Sequence, residues 1–374
     1  SAVCNVQVVA RFRPVNDLEV ERGGELVADL SGEGRVAMVA PEGDSGPAPF
    51  TFDKVFGPES TQGEVYEFAA KPCVVDALSG YNCTVFVYGQ TGSGKTHTMM
   101  GPPQAAIGST EKGIIPRIVA DVFEAIEDAE DCLEFTAKVS YVEVYMERVR
   151  DLLDVAKDNL RLREDKRRGV WLEGVTEVYV TSGQELMHYL SRGSANRAIA
   201  ATKMNTDSSR SHAVLTLTLS QRDRETEVRR TGRLYFVDLA GSEMVHKTGA
   251  RGQTLEEAKT INKSLSALGN VIRALTDRRT HIPYRDSRLT RLLQSSLGGD
   301  SKTCLIVTAS PASFNYVETV STLRFGARAK RIQNKPVVHE QRSIAEYQMM
   351  VEELQAKLAA SQEYARSLEA KLAD

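Results

Sequence analysis

Two hydrophobic periods alternate over the first 330 residues. Short β-branched or aromatic runs bounded by Gly, Pro or Ser predict strands, and runs with helical spacing lie between them. Because the two kinds of segment alternate, the pattern predicts an α/β fold whose central, mostly parallel sheet carries helices on both faces. The predicted strands begin near residue 7 and lie at 84–89, 135–145, 212–221, 233–241 and 302–310. The predicted helices lie at 63–79, 115–128, 183–198, 254–276 and 286–297.

The pattern changes after residue 330. Residues 329–343 are polar and contain Pro336, and no comparable break divides the residues before them. From Ile344 the apolar positions repeat at 3-4 spacing, which predicts a two-stranded coiled coil, although one amphipathic helix packed on the domain has the same pattern. Ser361 and Ala365 weaken the seam. We therefore divide the chain into a domain at 1–331, a connecting segment at 332–343 and a coil at 344–374, with a homodimer expected through 344–372.

Composition narrows the class of protein. Of 374 residues, 41% are hydrophobic and 26% charged, as in ordinary globular chains. No apolar run reaches the length of a membrane span, so no membrane insertion is expected. The start of the chain lacks a signal-peptide pattern, and five scattered cysteines include no CxxC pair. These features predict a reduced, cytoplasmic location.

The net charge of −3 hides an uneven distribution along the chain. Residues 344–374 hold six acids and three bases, which accounts for −3 and leaves the first 343 residues neutral. Within that neutral part, residues 259–291 hold eight bases against Asp277 and Asp286. A solvated helix face is the ordinary explanation for a charge run, but a sustained excess of one sign favours an acidic macromolecular partner.

The segment GQTGSGKT at 89–96 follows a predicted strand and opens a predicted helix. It fits the phosphate-binding pattern GxxxxGK[ST]. In this pattern backbone N–H groups converge on phosphate oxygens, the lysine reaches the β- and γ-phosphates, and the last hydroxyl ligates Mg²⁺. The sequence therefore predicts a nucleotide site at Gly89–Thr96.

Two further segments carry polar groups suited to that site. In LYFVDLAGSE (234–243) an apolar strand ends at Asp238, whose carboxylate can hold the water shell of Mg²⁺, and Gly241 can offer its N–H to a γ-phosphate. In NTDSSRSH (205–212) two serines can face Mg²⁺ or the attacking water, and Arg210 can pair with a carboxylate. Taken alone, each segment is an ordinary strand end or polar loop.

Together these motifs resemble those of kinesin motor domains, with GQTGSGKT as the P-loop, NTDSSRSH as switch I and DLAGSE as switch II. RFRP (11–14) looks like that family's adenine-side motif, and the likeness extends over about residues 5–335. SYVEVYMERVRDLL (140–153), INKSLSALGNVIRAL (261–275) and HIPYRDSRLTRLLQSSLGG (281–299) are similar to its microtubule-facing elements. Within the family, CNVQVVARFRP, HKTGA and INKSL are most similar to conventional kinesin heavy chain (kinesin-1), while QNKPVV resembles kinesin-2.

The resemblance implies ATP hydrolysis with Mg²⁺, coupled to movement along microtubules. It assigns three residues to the adenine, namely Arg11, Pro14 and His97. It assigns the phosphates to the whole loop: Gly89, Gln90, Thr91, Gly92, Ser93, Gly94, Lys95 and Thr96. The metal would be held by Thr96 and Ser209 and, through water, by Asp238.

The same resemblance assigns the catalytic roles. Ser208 and Ser209 would close on the γ-phosphate, one helping to hold Mg²⁺ and the other the attacking water. Arg210 and Glu243 would form an ion pair that completes the closed site and relays a proton. Positioning and charge stabilisation supply most of the catalysis in phosphoryl transfer.

The same resemblance implies that the basic residues face an acidic tubulin surface. The implied microtubule contacts are Arg148, Lys247, Lys259, Lys263, Arg285, Arg288 and Arg291. Met244 departs from the family, since conventional kinesins usually carry lysine there. Direction is implied only by the motor preceding the coil, as in plus-end-directed relatives. No nucleic-acid partner is expected.

Residues 332–343 resemble the neck linker of the family, which zips along the domain. His339 stands where conventional kinesins usually place a latching asparagine. Because an imidazole gains charge below about pH 6.5, we expect docking of this segment to weaken as the pH falls towards 6.

Other classes of nucleotide-binding protein fit the sequence less well. A P-loop kinase needs a site for the phosphoryl acceptor and a lid, and no motif in the sequence indicates either. A GTPase is expected to carry [N/T]KxD, and NKSL (262–265) fails at its fourth position. A nucleotide-gated microtubule-binding protein without motility stays open as the alternative.

Overall fold

The computed structural model describes residues 3–32, 34–39, 48–102, 109–165, 169–203, 208–243 and 253–341, with 347–348, 351–352, 354–362 and 366. The side chains at 200–203, 208 and 253–262 lie outside this description. The strands are β1 (Cys4–Asn5), β2 (Gln7–Phe12), β3 (Ala28–Asp29), β4 (Arg35–Met38), β5 (Ala48–Thr51), β6 (Lys54–Phe56), β7 (Asn82–Tyr88), β8 (Leu133–Tyr145), β9 (Arg148–Asp151), β10 (Arg161–Asp165), β11 (Gly169–Glu173), β12 (Val178–Val180), β13 (His212–Asp223), β14 (Arg229–Asp238), β15 (Ser301–Ala309), β16 (Gln333–Asn334) and β17 (Glu340–Gln341). The helices are α1 (Asp17–Glu21), α2 (Gln62–Ala69), α3 (Lys71–Leu78), α4 (Lys95–Met100), α5 (Ile114–Glu127), α6 (Gly183–Lys203), α7 (Gln253–Thr276), α8 (Arg288–Leu292) and α9 (Tyr316–Ala329).

The main sheet runs in the order β12-β8-β13-β14-β7-β15-β2-β6. Its ladders are parallel from β14 to β6 and antiparallel from β12 to β14. The predicted α/β class is confirmed, but the sheet is mixed. Only residues 224–228 join β13 to β14, and so short a connection makes a hairpin rather than a parallel crossover.

Helices cover both faces of this sheet, as predicted. On β7, Val85 and Val87 point into a core shared with α2, α3, α5 and α6. The intervening Phe86 and Tyr88 point into a second core shared with α7, α8 and α9. The predicted helix 63–79 is two helices, because Pro72 lies in the first turn of α3 and starts a new helix there.

The connecting segment lies on the domain. Asn334 of β16 pairs with Cys4 of β1, and Glu340 of β17 pairs with Arg230 of β14. The described residues from 347 onward are helical, and the seam positions Tyr347, Val351, Leu354 and Leu358 are 50–61% exposed. The coiled coil and its homodimer stay predictions.

Within the described residues, none of the helices combines the length and the hydropathy that crossing a bilayer requires.

Candidate active site

The predicted phosphate loop lies between the end of β7 and the start of α4. Gly92 and Gly94 adopt φ of 76° and 99°, a backbone region that side chains disfavour, and Gly94 caps α4. A Cβ on Gly89 would lie 2.2 Å from the carbonyl oxygen of Thr308. The fold therefore requires glycine at these three positions of the motif.

Lys95 is turned into this loop and buried. Its Nζ donates to the carbonyl oxygens of Gly89 at 3.0 Å and Gln90 at 2.9 Å. A buried ammonium surrounded by loop carbonyls places a full positive charge where the motif binds phosphate.

The predicted metal residues meet at the next strand. Because β14 pairs in parallel with β7, its last residue, Asp238, lies beside the P-loop. Thr96 Oγ1 donates to Asp238 Oδ2 at 3.0 Å, while Asp238 Oδ1 is buried and has no hydrogen-bond partner among the described residues. A buried carboxylate oxygen with spare lone pairs next to a hydroxyl is suited to a hard cation and its water shell.

A buried arginine that the sequence did not single out contacts the same carboxylate. Arg197 on α6 lies 3.4 Å from Asp238 Oδ2 and 3.8 Å from Glu143 Oε1 on β8. Its guanidinium also donates to the hydroxyl and carbonyl oxygens of Ser211. Nothing in the helical pattern distinguishes Arg197 from a surface arginine, since only the sheet topology brings β8 and β14 to it.

The two switch segments touch each other. The Gly241 N–H donates to the Ser209 carbonyl oxygen at 2.7 Å, so in this structure it serves switch I rather than pointing to a phosphate. A Cβ on Gly241 would lie 2.3 Å from Glu243 Oε2 and 2.4 Å from Thr91 Oγ1. The described residues contain the backbone of Ser208 but not its side chain.

Glu243 contacts the P-loop. Its carboxylate accepts from Thr91 N at 2.8 Å and from Thr91 Oγ1 at 2.6 Å. The Arg210–Glu243 ion pair stays a prediction, and the observed contact joins switch II to the loop.

A second unforeseen residue, His212, links three elements. Its Nδ1 accepts from Ala240 N at 2.9 Å, and its Nε2 lies 2.8 Å from Ser264 Oγ on α7. Burial, reinforced by the charges of Arg197 and Lys95, lowers the pKa of His212 to about 3. The imidazole is therefore neutral near pH 7 and accepts at Nδ1, which ties switch II to α7.

The predicted adenine-side residues lie along the rim of the loop. Arg11 donates to Gln62 Oε1 and to Thr98 Oγ1 of α4, and the Gln62 amide donates to the carbonyl oxygen of His97. Burial lowers the pKa of Arg11. Pro14 joins this rim through Arg13, which donates to the carbonyl oxygens of both Pro14 and Gly92.

Arg13 is braced by a buried carboxylate. Glu19 is 2% exposed and accepts two hydrogen bonds from Arg13, with others from Ser310 and Asn315. Burial opposes its ionisation, but hydrogen bonds from Arg13, Ser310 and Asn16 outweigh that effect and lower its pKa to about 2.

Five of the predicted microtubule contacts have described side chains. Arg285, Arg288 and Arg291 lie in or just before α8, and Lys263 on α7 and Arg148 on β9 are exposed. Lys247 and the neighbouring Met244 lie outside the described residues, as does the side chain of Lys259.

His339 has an acidic neighbour that the sequence did not reveal. Its Nε2 lies 3.2 Å from Asp300 Oδ2 and 2.9 Å from Asn82 Nδ2. The hydrogen bond from His339 lowers the pKa of Asp300. The expected weakening of docking at lower pH stays a prediction, and the Asp300 carboxylate is a contact that the sequence analysis did not include.

Comparisons with known proteins agree with this geometry. The model of the kinesin motor domain family matches residues 11–332. Kinesin-related protein 3 of Dictyostelium discoideum is 50% identical over 98% of this chain and 30% of its own length. The kinesin heavy chain of Syncephalastrum racemosum is 52% identical over 98% of this chain and 39% of its own. The human kinesin-1 heavy chain is 50% identical over 90% of this chain and 34% of its own.

One solved structure, described as that of a fast kinesin, superposes with a TM-score of 0.85 at 51% identity. The superposition covers 91% of this chain and 96% of the chain in that structure. The chain spans 30% to 41% of the length of the curated relatives it matches first. The family match, the similarity to the solved kinesin structure and the assembled phosphate loop lead to one conclusion: the chain belongs to the kinesin motor domain family.

Proposed function

We propose that this chain is a microtubule-stimulated ATPase that couples ATP hydrolysis to movement along microtubules, towards the plus end. The observation that carries the proposal is the contact of Thr96 with Asp238, because it joins the phosphate loop to the strand that reports on the nucleotide. The link from Gly241 to Ser209 adds both switches to the same site. The protein would act on microtubules in the cytoplasm.

Mg²⁺ fits the donors at this site. Thr96 and Asp238, with Ser209, would hold it, and the ion would neutralise charge on the phosphate oxygens. Lys95 would meet the β- and γ-phosphates, while Arg11, Pro14 and His97 flank the adenine. Ser208 and Ser209 would close on the γ-phosphate, one helping to hold Mg²⁺ and the other the attacking water, and the pairing of Arg210 with Glu243 would complete the closed site.

The deciding experiment measures the ATPase rate with and without microtubules, together with gliding of polarity-marked microtubules over the immobilised protein. Stimulated turnover with movement supports a motor. Stimulated binding without gliding would favour the alternative, a nucleotide-gated protein that binds microtubules and does not move.

The basic face should govern microtubule affinity. Replacing Arg285 and Arg288 with alanine should raise the microtubule concentration for half-maximal ATPase, and added salt should do the same to the parent, because exposed charges are screened beyond roughly 8 Å at physiological ionic strength. The matched control is Arg222→Ala with Arg224→Ala, which removes two positive charges from the β13–β14 hairpin, where both pair with Glu134. Salt-insensitive binding would contradict an electrostatic interface.

The segment 332–343 is proposed as a neck linker, and 344–372 as a dimerising coil. The pairing of β16 with β1 and of β17 with β14 supports the first role. The exposed helical seam supports the second, because apolar residues on one unpacked helix face favour a partner helix.

Docking of this segment should weaken when Asp300 is replaced by asparagine. The Asp300 carboxylate lies 3.2 Å from His339 Nε2. Ordering the segment costs about 1 kcal/mol per residue, so the loss of one contact between a carboxylate and this imidazole shifts the balance.

Hydrogen exchange of residues 333–341 measures docking directly. Protection should fall in Asp300→Asn relative to the parent at the same pH. Equal protection in parent and variant would show that the contact between Asp300 and His339 does not hold the segment.

A further inference from the structure

The arginines proposed to contact microtubules share an internal carboxylate. Glu164 on β10 accepts from Arg285 Nη2 at 3.3 Å and from Arg291 Nη2 at 3.0 Å. Its other oxygen lies 3.5 Å from Gln294 Nε2. One hairpin residue therefore holds two cationic side chains from the region of α8.

This cluster is exposed and carries excess positive charge. Arg285 is 77% exposed and Glu164 33%, so a partner surface can reach both. One carboxylate faces two guanidiniums, and the Nε of Arg291 is buried with no hydrogen-bond partner in the described residues. The two arginines can therefore bind another acidic group, but each such contact competes with Glu164.

We propose that Glu164 is an internal counter-charge that competes with the acidic microtubule surface for Arg285 and Arg291 and so limits microtubule affinity. This inference rests on the proposed function. Binding exchanges one carboxylate for another at Arg285, which removes part of the Coulombic gain of the new contact.

The test is Glu164→Gln, which keeps the shape and removes the charge. Co-sedimentation at low salt should show binding about two- to five-fold tighter than the parent, in line with the small energies of exposed pairs. The difference should shrink as salt is added, because screening weakens both the internal pair and the interface.

The matched control is Glu173→Gln. Glu173 lies on β11 of the same hairpin and pairs with Arg163, with both side chains 50% exposed. This variant removes the same charge at a carboxylate whose described ion pair is with Arg163. In an Arg285→Ala background the effect of Glu164→Gln should fall, since one of the two arginines for which Glu164 and the microtubule compete is gone.

The outcomes distinguish a failure of the proposed function from a failure of the inference about Glu164. A parent that does not bind microtubules contradicts the proposed function. A parent that binds, with Glu164→Gln no tighter than Glu173→Gln, overturns the inference, because net charge alone then explains the change. Weaker binding by Glu164→Gln also overturns it, since Glu164 would then contact the microtubule favourably.

Discussion

Lys95→Ala should abolish steady-state ATP turnover, with a loss of at least about 100-fold. Lys95 carries the buried charge of the phosphate loop and lies against the carbonyl oxygens of Gly89 and Gln90. An alanine has no charge to stabilise the transferring phosphoryl group, and removing one preorganised donor at such a site commonly costs a factor of about 10²–10³. Phosphate release with saturating ATP and microtubules measures the effect.

The matched control is Lys71→Ala on α3, which removes an exposed lysine paired with Glu67. It should turn over like the parent. Near-normal turnover by Lys95→Ala would refute the site, and a strong preference for GTP would contradict the assignment to ATP.

Arg210→Ala and Glu243→Ala should each stop microtubule-stimulated hydrolysis while nucleotide binding persists. If the two side chains act as one ion pair in the closed site, removing both should be no worse than removing one. Single-turnover hydrolysis and binding of a fluorescent nucleotide separate the two steps. Additive losses would show that the residues act independently.

The contact of Thr91 with Glu243 provides a control for the predicted Arg210–Glu243 pair. Glu243 accepts two hydrogen bonds from Thr91, one from the backbone and one from the hydroxyl. Thr91→Val removes the hydroxyl bond at little change in shape. If that variant loses hydrolysis as Glu243→Ala does, and Arg210→Ala does not, the contact with the loop carries the function and the predicted ion pair does not.

The sequence was most informative where one local segment performs one local task. Gly89–Thr96 needs only its own backbone and the helix that follows, so its pattern predicted the loop that the structure contains. The end of β14 at Asp238 was predicted in the same way, since parallel strands beside a phosphate loop end at the same edge. The alternation of strands and helices likewise predicted the fold class.

Contacts between distant segments could not be predicted from local patterns. Arg197 reaches Asp238 and Glu143 because β8 and β14 flank β13, an order that periodicity does not encode. The sheet became mixed because a short turn made β13 and β14 a hairpin. Glutamate is a residue type usually found at the surface, yet hydrogen bonds from Arg13, Ser310 and Asn315 hold Glu19 ionised in the interior.

By itself, then, the sequence determined the family, the phosphate loop, the order of elements and the heptad period, because these depend on residues close together in the chain. The tertiary structure alone decided that Glu243 contacts Thr91, that Asp300 faces His339, and that Glu164 holds Arg285 and Arg291. Each of these is an electrostatic or hydrogen-bonded contact across many residues. Its sign and strength depend on which charges the fold brings within a few ångströms, and no local pattern contains that distance.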